Sequence, residues 1–211
     1  MTEFLTLSEE NPINEEGTTA GHHKHPNHSW VLFVSGPTAS GKSSVADFLA
    51  TNLEAHFIEG DDLHPKANVG KMHKGEPLND SDRQGWLEAI SEQASGYEKE
   101  HNTKRHLIIT CSALKRSYRE LLRESCDRAG YSIVHFIHLD APESELRHRA
   151  ETRHGHFAKS NLVHSQFQTL ERPGIEETDV TMISVVPPLE EVQNVALDSF
   201  SKILAHKKAQ G

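Results

Sequence analysis

Gly36-Pro37-Thr38-Ala39-Ser40-Gly41-Lys42-Ser43 is the stretch that decides how this 211-residue chain is read. It fits G-x-x-x-x-G-K-[ST] at every fixed position. Glycines let the backbone curl so that successive N–H groups point inward, and a helix N-terminus adds positive potential at the same spot. Such a loop receives the phosphates of a nucleoside triphosphate. The phosphate-binding candidates are therefore Gly36, Pro37, Thr38, Ala39, Ser40, Gly41, Lys42, Ser43 and Ser44. Lys42 can reach the β- and γ-phosphates, and the Ser43 hydroxyl can ligate Mg²⁺. A chance Gly-rich turn would not need all of these positions filled.

The flanks supply the expected context. Residues 30–35 (WVLFVS) read as a strand entering the loop. Val45, Phe48, Leu49 and Leu53 share one face of a helix over 43–53. Four more β-branched, apolar runs follow at 56–59, 106–111, 132–139 and 180–186. Several are continuously apolar, as strands covered on both faces must be. Helical spacing recurs at Leu87, Ile90 and Ala94 after a Ser81 or Asp82 cap, at Leu114, Tyr118, Leu121 and Leu122, and from Val192 to Ile203. Strands alternating with helices predict an α/β domain over 29–211, with a parallel five-stranded sheet flanked by helices. Residues 1–28 read as a disordered polar tail, with too few apolar side chains to offset ordering entropy. Its His22, His23, His25 and His28 read as solvated, since no other ligand type supports a metal site.

Composition narrows the function classes. The formal net charge of -9 makes the chain a poor partner for nucleic-acid backbones or anionic lipid. Any anionic ligand must instead be met by locally gathered cations. Two cysteines, Cys111 and Cys126, suit a reducing compartment and offer no disulfide framework. No apolar run is long enough to span a membrane, and the N-terminus lacks a secretory pattern. A cytoplasmic protein without membrane or nucleic-acid partners is expected. The absence of an N-K-x-D element argues against a guanine-nucleotide switch.

Beyond the loop, the second strand leads into Glu59-Gly60-Asp61-Asp62. Alternation along a strand puts Glu59 and Asp61 on one side, at the sheet end where ligands bind. Asp61 is the candidate acceptor of a proton from an attacking hydroxyl, and Glu59 a candidate holder of a Mg²⁺-bound water. Arg83 is the first candidate anchor for an anionic substrate, because its planar fork matches a carboxylate. His64, Lys71, Ser112 and Lys115 come next. Lys115 and Arg116 start a helix, where cations oppose the dipole, so an anionic partner is expected there. Arg149 and Arg153 lie four residues apart on a helix over 143–153, just before Gly155. They suit either a lid over the phosphates or surface pairing with Glu145 or Glu151.

Three further blocks carry a family resemblance. They are Glu59 through Pro65 with Asn68, Lys71-Met72, Gly75, Pro77-Leu78, Asp80, Asp82-Arg83 and Trp86-Leu87; Cys111 through Arg116 with Tyr118-Arg119; and Arg153 through Phe157 with Ser165-Gln166-Phe167, Leu170-Glu171 and Pro173. In order and spacing, from about residue 31 to 200, the chain resembles the gluconokinases. The resemblance implies a P-loop kinase fold like that of shikimate and nucleoside monophosphate kinases, with a mobile lid at about 150–165. It implies ATP-dependent phosphorylation of D-gluconate at its 6-hydroxyl, giving 6-phosphogluconate for the pentose phosphate route, and it suggests a homodimer. It tips Arg149 and Arg153 toward lid roles, Arg149 nearer the nucleotide and Arg153 nearer the transferred phosphoryl. Lys42, Asp61 and Arg153 are then the expected catalytic set. Pro37, Ala39, Gly85 and Ala158-Lys159 depart from the family pattern. The competing readings are a kinase for another sugar acid or a shikimate-like substrate, and an ATP-binding regulatory protein without turnover.

Overall fold

The strand β1 (Trp30–Ser35) is buried at every residue because it runs up the middle of the sheet. The computed structural model describes residues 29–100, 106–154 and 157–210; the tail at 1–28, with its histidines, lies outside the described residues. After β1 the chain forms α1 (Lys42–Leu53), β2 (His56–Ile58), a 3-10 turn (Gly60–Leu63), α2 (Lys66–His73) and α3 (Asp80–Glu100). It continues through β3 (His106–Cys111), α4 (Arg116–Arg128), β4 (Ile133–Asp140), α5 (Glu143–His154), α6 (Phe157–Thr169), β5 (Val180–Ser184) and α7 (Leu189–Gln210). All strand pairs are parallel, in the order β2-β3-β1-β4-β5. Ser35 ends β1 level with Cys111 of β3 and His138 of β4, so the loops leaving three strands emerge side by side.

Alternation along β1 divides the core into two layers. Trp30, Leu32 and Val34 pack with Val45 and Leu49 of α1, Leu146 of α5, Val163 of α6 and Phe200 of α7. Val31 and Phe33 pack with Trp86 and Ile90 of α3 and Leu122 of α4. Each such side chain, fully buried, stabilises the fold by about 1.5–3 kcal/mol. The sheet is thus covered on both faces, as its apolar runs predicted.

The structure differs from the sequence reading in four places. β2 stops at Ile58, so Glu59 and Asp61 are not related by strand alternation; Glu59 precedes the 3-10 turn, where Asp61 lies. Asn79, not Ser81 or Asp82, caps α3: its Oδ1 accepts from Asp82 N at 2.8 Å, and its N–H donates to Asp82 Oδ2 at 3.0 Å. This reciprocal box satisfies two otherwise orphan donors. The helices α2 and α6 were not anticipated. Both carry few apolar residues at helical spacing, and α2 buries only Asn68.

Candidate active site

The phosphate loop leaves β1 at Gly36, whose φ of +136 suits glycine. A Cβ there would lie 2.5 Å from the Leu139 carbonyl oxygen, so no side chain fits. Ala39 holds φ 66 and Gly41 φ 92, which turns the loop onto the N-terminus of α1. Left-handed backbone at an alanine costs about 1–2 kcal/mol, strain of the kind concentrated at ligand-binding loops. The Ser40 hydroxyl is buried without a protein partner. Lys42 folds over the loop, its Nζ donating to Pro37 O at 3.2 Å. Ser43 is exposed on the first turn of α1, and the Ser44 carbonyl accepts from Gln193 Nε2 of α7 at 3.0 Å. This cradle of inward backbone, helix N-terminus and lysine fits triphosphate oxygens, and the free Ser43 hydroxyl fits a hard cation beside them.

Thr38, Lys42, Asp61, His64, Arg83 and Ser112 line one cleft, closed by Met72, Leu78 and by Leu162, Ser165 and Gln166 of α6. Six of the residues singled out in the sequence are thereby brought together. Gly60 fixes Asp61: it donates to Thr110 Oγ1 at 2.9 Å and its carbonyl accepts from Trp86 Nε1 at 2.7 Å. A Cβ on Gly60 would lie 1.9 Å from the Thr110 carbonyl oxygen. Thr110 in turn donates to the Glu59 carboxylate. Thr110 and Trp86 thus set the spacing of the acidic pair.

Arg83 is 95% buried by its 5% exposure, yet its polar atoms are nearly unused. Nη1 donates to Ser112 Oγ at 3.4 Å, and Nε has no partner. No carboxylate forms an ion pair with it among the described residues. Burial lowers its pKa, but a guanidinium stays charged at neutral pH. Asp80 and Asp61 act on it only from a distance, and a buried cation with no carboxylate in contact is costly unless a ligand supplies one.

The other two lysines are committed elsewhere. Lys71 Nζ pairs with Asp82 Oδ1 at 2.6 Å, and Lys115 Nζ donates to Asp80 Oδ1 and Oδ2 at 2.8 and 2.7 Å. Neither lines the cleft. Cations at the start of α4 do have anionic partners, but these are the protein's own carboxylates: Arg116 bonds Glu120 and Glu176. Buried Arg119 bonds Glu177 through Nε and Nη2 at 2.8 and 2.6 Å. Its Nη1 also reaches the carbonyls of Ala113, Leu114 and Glu171 at 3.0, 3.4 and 3.1 Å. Arg119 therefore braces the loop that carries Ser112.

Helices α5 and α6 pack together, with Ser160 Oγ accepting from Arg147 Nε at 3.1 Å and donating to Glu151 Oε1 at 2.8 Å. The Arg153 side chain, Gly155 and His156 lie outside the described residues. Arg149 bonds Glu145 at 2.7 Å, the surface pairing the sequence allowed, and also donates through Nη2 to Val185 O at 2.7 Å. That places it against the strand end leading to Pro187-Pro188. Gln166 makes a contact for which sequence reading assigned no role. Its Oε1 accepts from Thr38 N at 2.6 Å, joining α6 to the phosphate loop. Only its place beside Ser165 in the third block hinted at this.

A parallel sheet, a phosphate loop between β1 and α1, and an acidic, arginine-bearing cleft beside it define a P-loop kinase. A family model described as an AAA domain matches residues 31–173. A probable gluconokinase of Schizosaccharomyces pombe is 38% identical over 97% of this chain and 99% of its own length. The thermoresistant gluconokinase of Escherichia coli is 41% identical over 84% of this chain and 96% of its own. The crystal structure of a gluconokinase from Sinorhizobium meliloti superposes with a TM-score of 0.74 at 38% identity, covering 88% of this chain and 98% of that one. A Mycobacterium tuberculosis APS kinase, at 17% identity and a TM-score of 0.61, shares the fold. The chain belongs to the gluconokinase family.

Proposed function

We propose that this chain transfers the γ-phosphoryl group of ATP to the 6-hydroxyl of D-gluconate, giving 6-phosphogluconate and ADP for the pentose phosphate route. The observation that carries the reading is Arg83: a buried, unpaired guanidinium in the cleft that also holds Asp61 and Lys42. Gluconate has one carboxylate to meet that cation and several hydroxyls for the surrounding polar groups. Anchored there by its C1 end, it would extend its far hydroxyl toward Asp61 and the phosphate loop. Asp61 orients that hydroxyl and takes its proton as the oxygen bonds to phosphorus and the bond to ADP breaks. Lys42 stabilises charge on the transferred group. Mg²⁺, held by Ser43 and through water by Glu59, would supply further charge neutralisation when bound. Arg149 lies nearer the nucleotide, and Arg153 is assigned to the transferred phosphoryl. Gln166 and α6 close the cleft from the lid side and help exclude water.

The two cysteines are buried free thiols, and among the described residues no helix is long and apolar enough to cross a membrane. Free thiols suit a reducing compartment, so the enzyme is assigned to the cytoplasm, and the family resemblance suggests a homodimer. The decisive assay is ADP release by the purified protein with gluconate, its epimers, shikimate and nucleoside monophosphates. Gluconate should stimulate it most; no stimulation by gluconate would sink the proposal. Asp61→Asn should lower turnover by about 10²–10⁴-fold while leaving ATP binding intact.

A further inference from the structure

We infer that Asn68 is a positioning residue that fixes His64 as a neutral Nε2–H donor facing the acceptor substrate. The inference rests on the gluconate reading only for what the donor meets; the state of the ring follows from contacts within the protein. His64 lines the cleft and stacks on Trp86, with ring centroids 4.3 Å apart and planes 10° from parallel. Stacking fixes the ring plane, and the contact of Asn68 at Nδ1 fixes which edge of the ring faces α2, so the position of the proton is left to choose.

Asn68 makes that choice. Its Nδ2 lies 2.6 Å from the Asp82 carbonyl oxygen, which can only accept, so the amide orientation is set. The same nitrogen lies 3.4 Å from His64 Nδ1. With one hydrogen on Asp82 O, the second points to Nδ1. Nδ1 must then be the acceptor, and the proton of the neutral ring sits on Nε2. Nε2 has no protein partner among the described residues.

The charge state agrees. The charged groups facing the ring are Asp61, on the turn before it, and Arg83, on α3. Asp61 favours the imidazolium and Arg83 opposes it, while burial dominates and holds the pKa at about 4. At neutral pH the ring is therefore a neutral donor. A hydroxyl or carboxylate oxygen of the substrate is the acceptor such a group recognises. Asn68 is itself buried on a helix with no other buried residue, a placement that packing alone does not explain.

The test combines nitrogen NMR of the ¹⁵N-histidine-labelled full chain with steady-state kinetics. The His64 signals are identified by their loss in His64→Gln. We expect the Nε2–H tautomer in the parent protein. In Asn68→Asp the carboxylate should draw the proton to Nδ1, and in Asn68→Ala, which adds no charge, the proton should distribute over both nitrogens. An unchanged tautomer in both variants overturns the inference. In kinetics, Asn68→Asp, which turns the Nε2 donor into an acceptor, should raise the gluconate KM about tenfold and leave the ATP KM unchanged. Glutamine at position 64 presents an amide N–H near the Nε2 position and has no tautomer. In that background Asn68→Asp carries only the effect of its added charge and should change the gluconate KM by less than about threefold. A full tenfold cost there would trace the effect to charge or packing and overturn the positioning role of Asn68. If the parent enzyme ignores gluconate, the functional reading fails while the NMR result still decides the tautomer.

Discussion

Arg83 and Arg119 are both buried, and their surroundings are opposite. Arg119 is wholly enclosed and makes five hydrogen bonds, two to a carboxylate and three to carbonyls. Arg83 makes one long bond to a serine and leaves Nε unpartnered. Both guanidiniums were desolvated by the same fold. Around Arg119 the chain supplied every partner, and the result is a brace between α4, the Ser112 loop and the segment after α6. Around Arg83 no carboxylate among the described residues is in contact, and the partner we propose for it is the carboxylate of the substrate. Burial alone does not separate structural from functional cations; the completeness of their hydrogen bonding does.

The sharpest way to break this contrast is Arg119→Ala. It leaves the buried Glu177 carboxylate with Arg123 alone, at 2.6 Å, and three carbonyls without their donor, so it should cost about 3 kcal/mol and lower the melting temperature by on the order of 10 °C. Calorimetry reads this directly, and an unchanged melt would mean the brace is dispensable. Arg83→Ala should do the reverse. The gluconate KM should rise about 10- to 100-fold through loss of a charged contact, with the ATP KM and the melting temperature held or the latter raised. A large fall in melting temperature would place Arg83 with Arg119 as a structural group. Gln166→Ala is milder. Losing the bond to Thr38 should cost about 1 kcal/mol, seen as an increase of a few fold in the KM for both substrates, because α6 touches both halves of the cleft. If neither constant moves, the Thr38 contact has no part in closure.

Acid titration needs no substitution. His64, His135 and His138 are each held at about 4 chiefly by burial, against an ordinary 6.5. The unfolded chain binds more protons than the fold between those values. Stability is therefore full above pH 6.5 and is lost as pH falls toward 4. Glu177 is held at about 2, from 4.5, first of all by Arg119. Its contribution is present above pH 4.5 and is lost only below it. Urea unfolding at pH 7.5, 5.5 and 4 should show the histidine limb first. A flat profile from 7.5 to 5.5 would contradict neutral buried histidines.

The strands and the phosphate loop were legible in sequence because their causes are local. Val31 to Val34 are apolar whatever packs on them, and Gly36 to Ser43 bind through their own backbone. Asp61, Arg83 and His64 were legible as chemistry, and the cleft gathers them. Lys71 and Lys115 looked equally available, yet Asp82 and Asp80 hold them, and no local rule reveals a partner on another element. The helix α2 escaped notice because its buried residue is Asn68, a polar side chain kept for its bonds. Ser160, the buried link between α5 and α6, hid for the same reason. Polar groups buried for their partners carry no hydrophobic period to read.

Gly60 makes the distance between two carboxylates a property of the sheet rather than of their own side chains. With backbone of β3 against one side and the Trp86 indole on its carbonyl, the two-residue step from Glu59 to Asp61 can be neither lengthened nor tilted without lifting a strand. Changes of acceptor in this scaffold must therefore be made at the far wall, around His64, Arg83 and α6. There side chains, rather than main chain, form the boundary, and the reacting end can stay as it is.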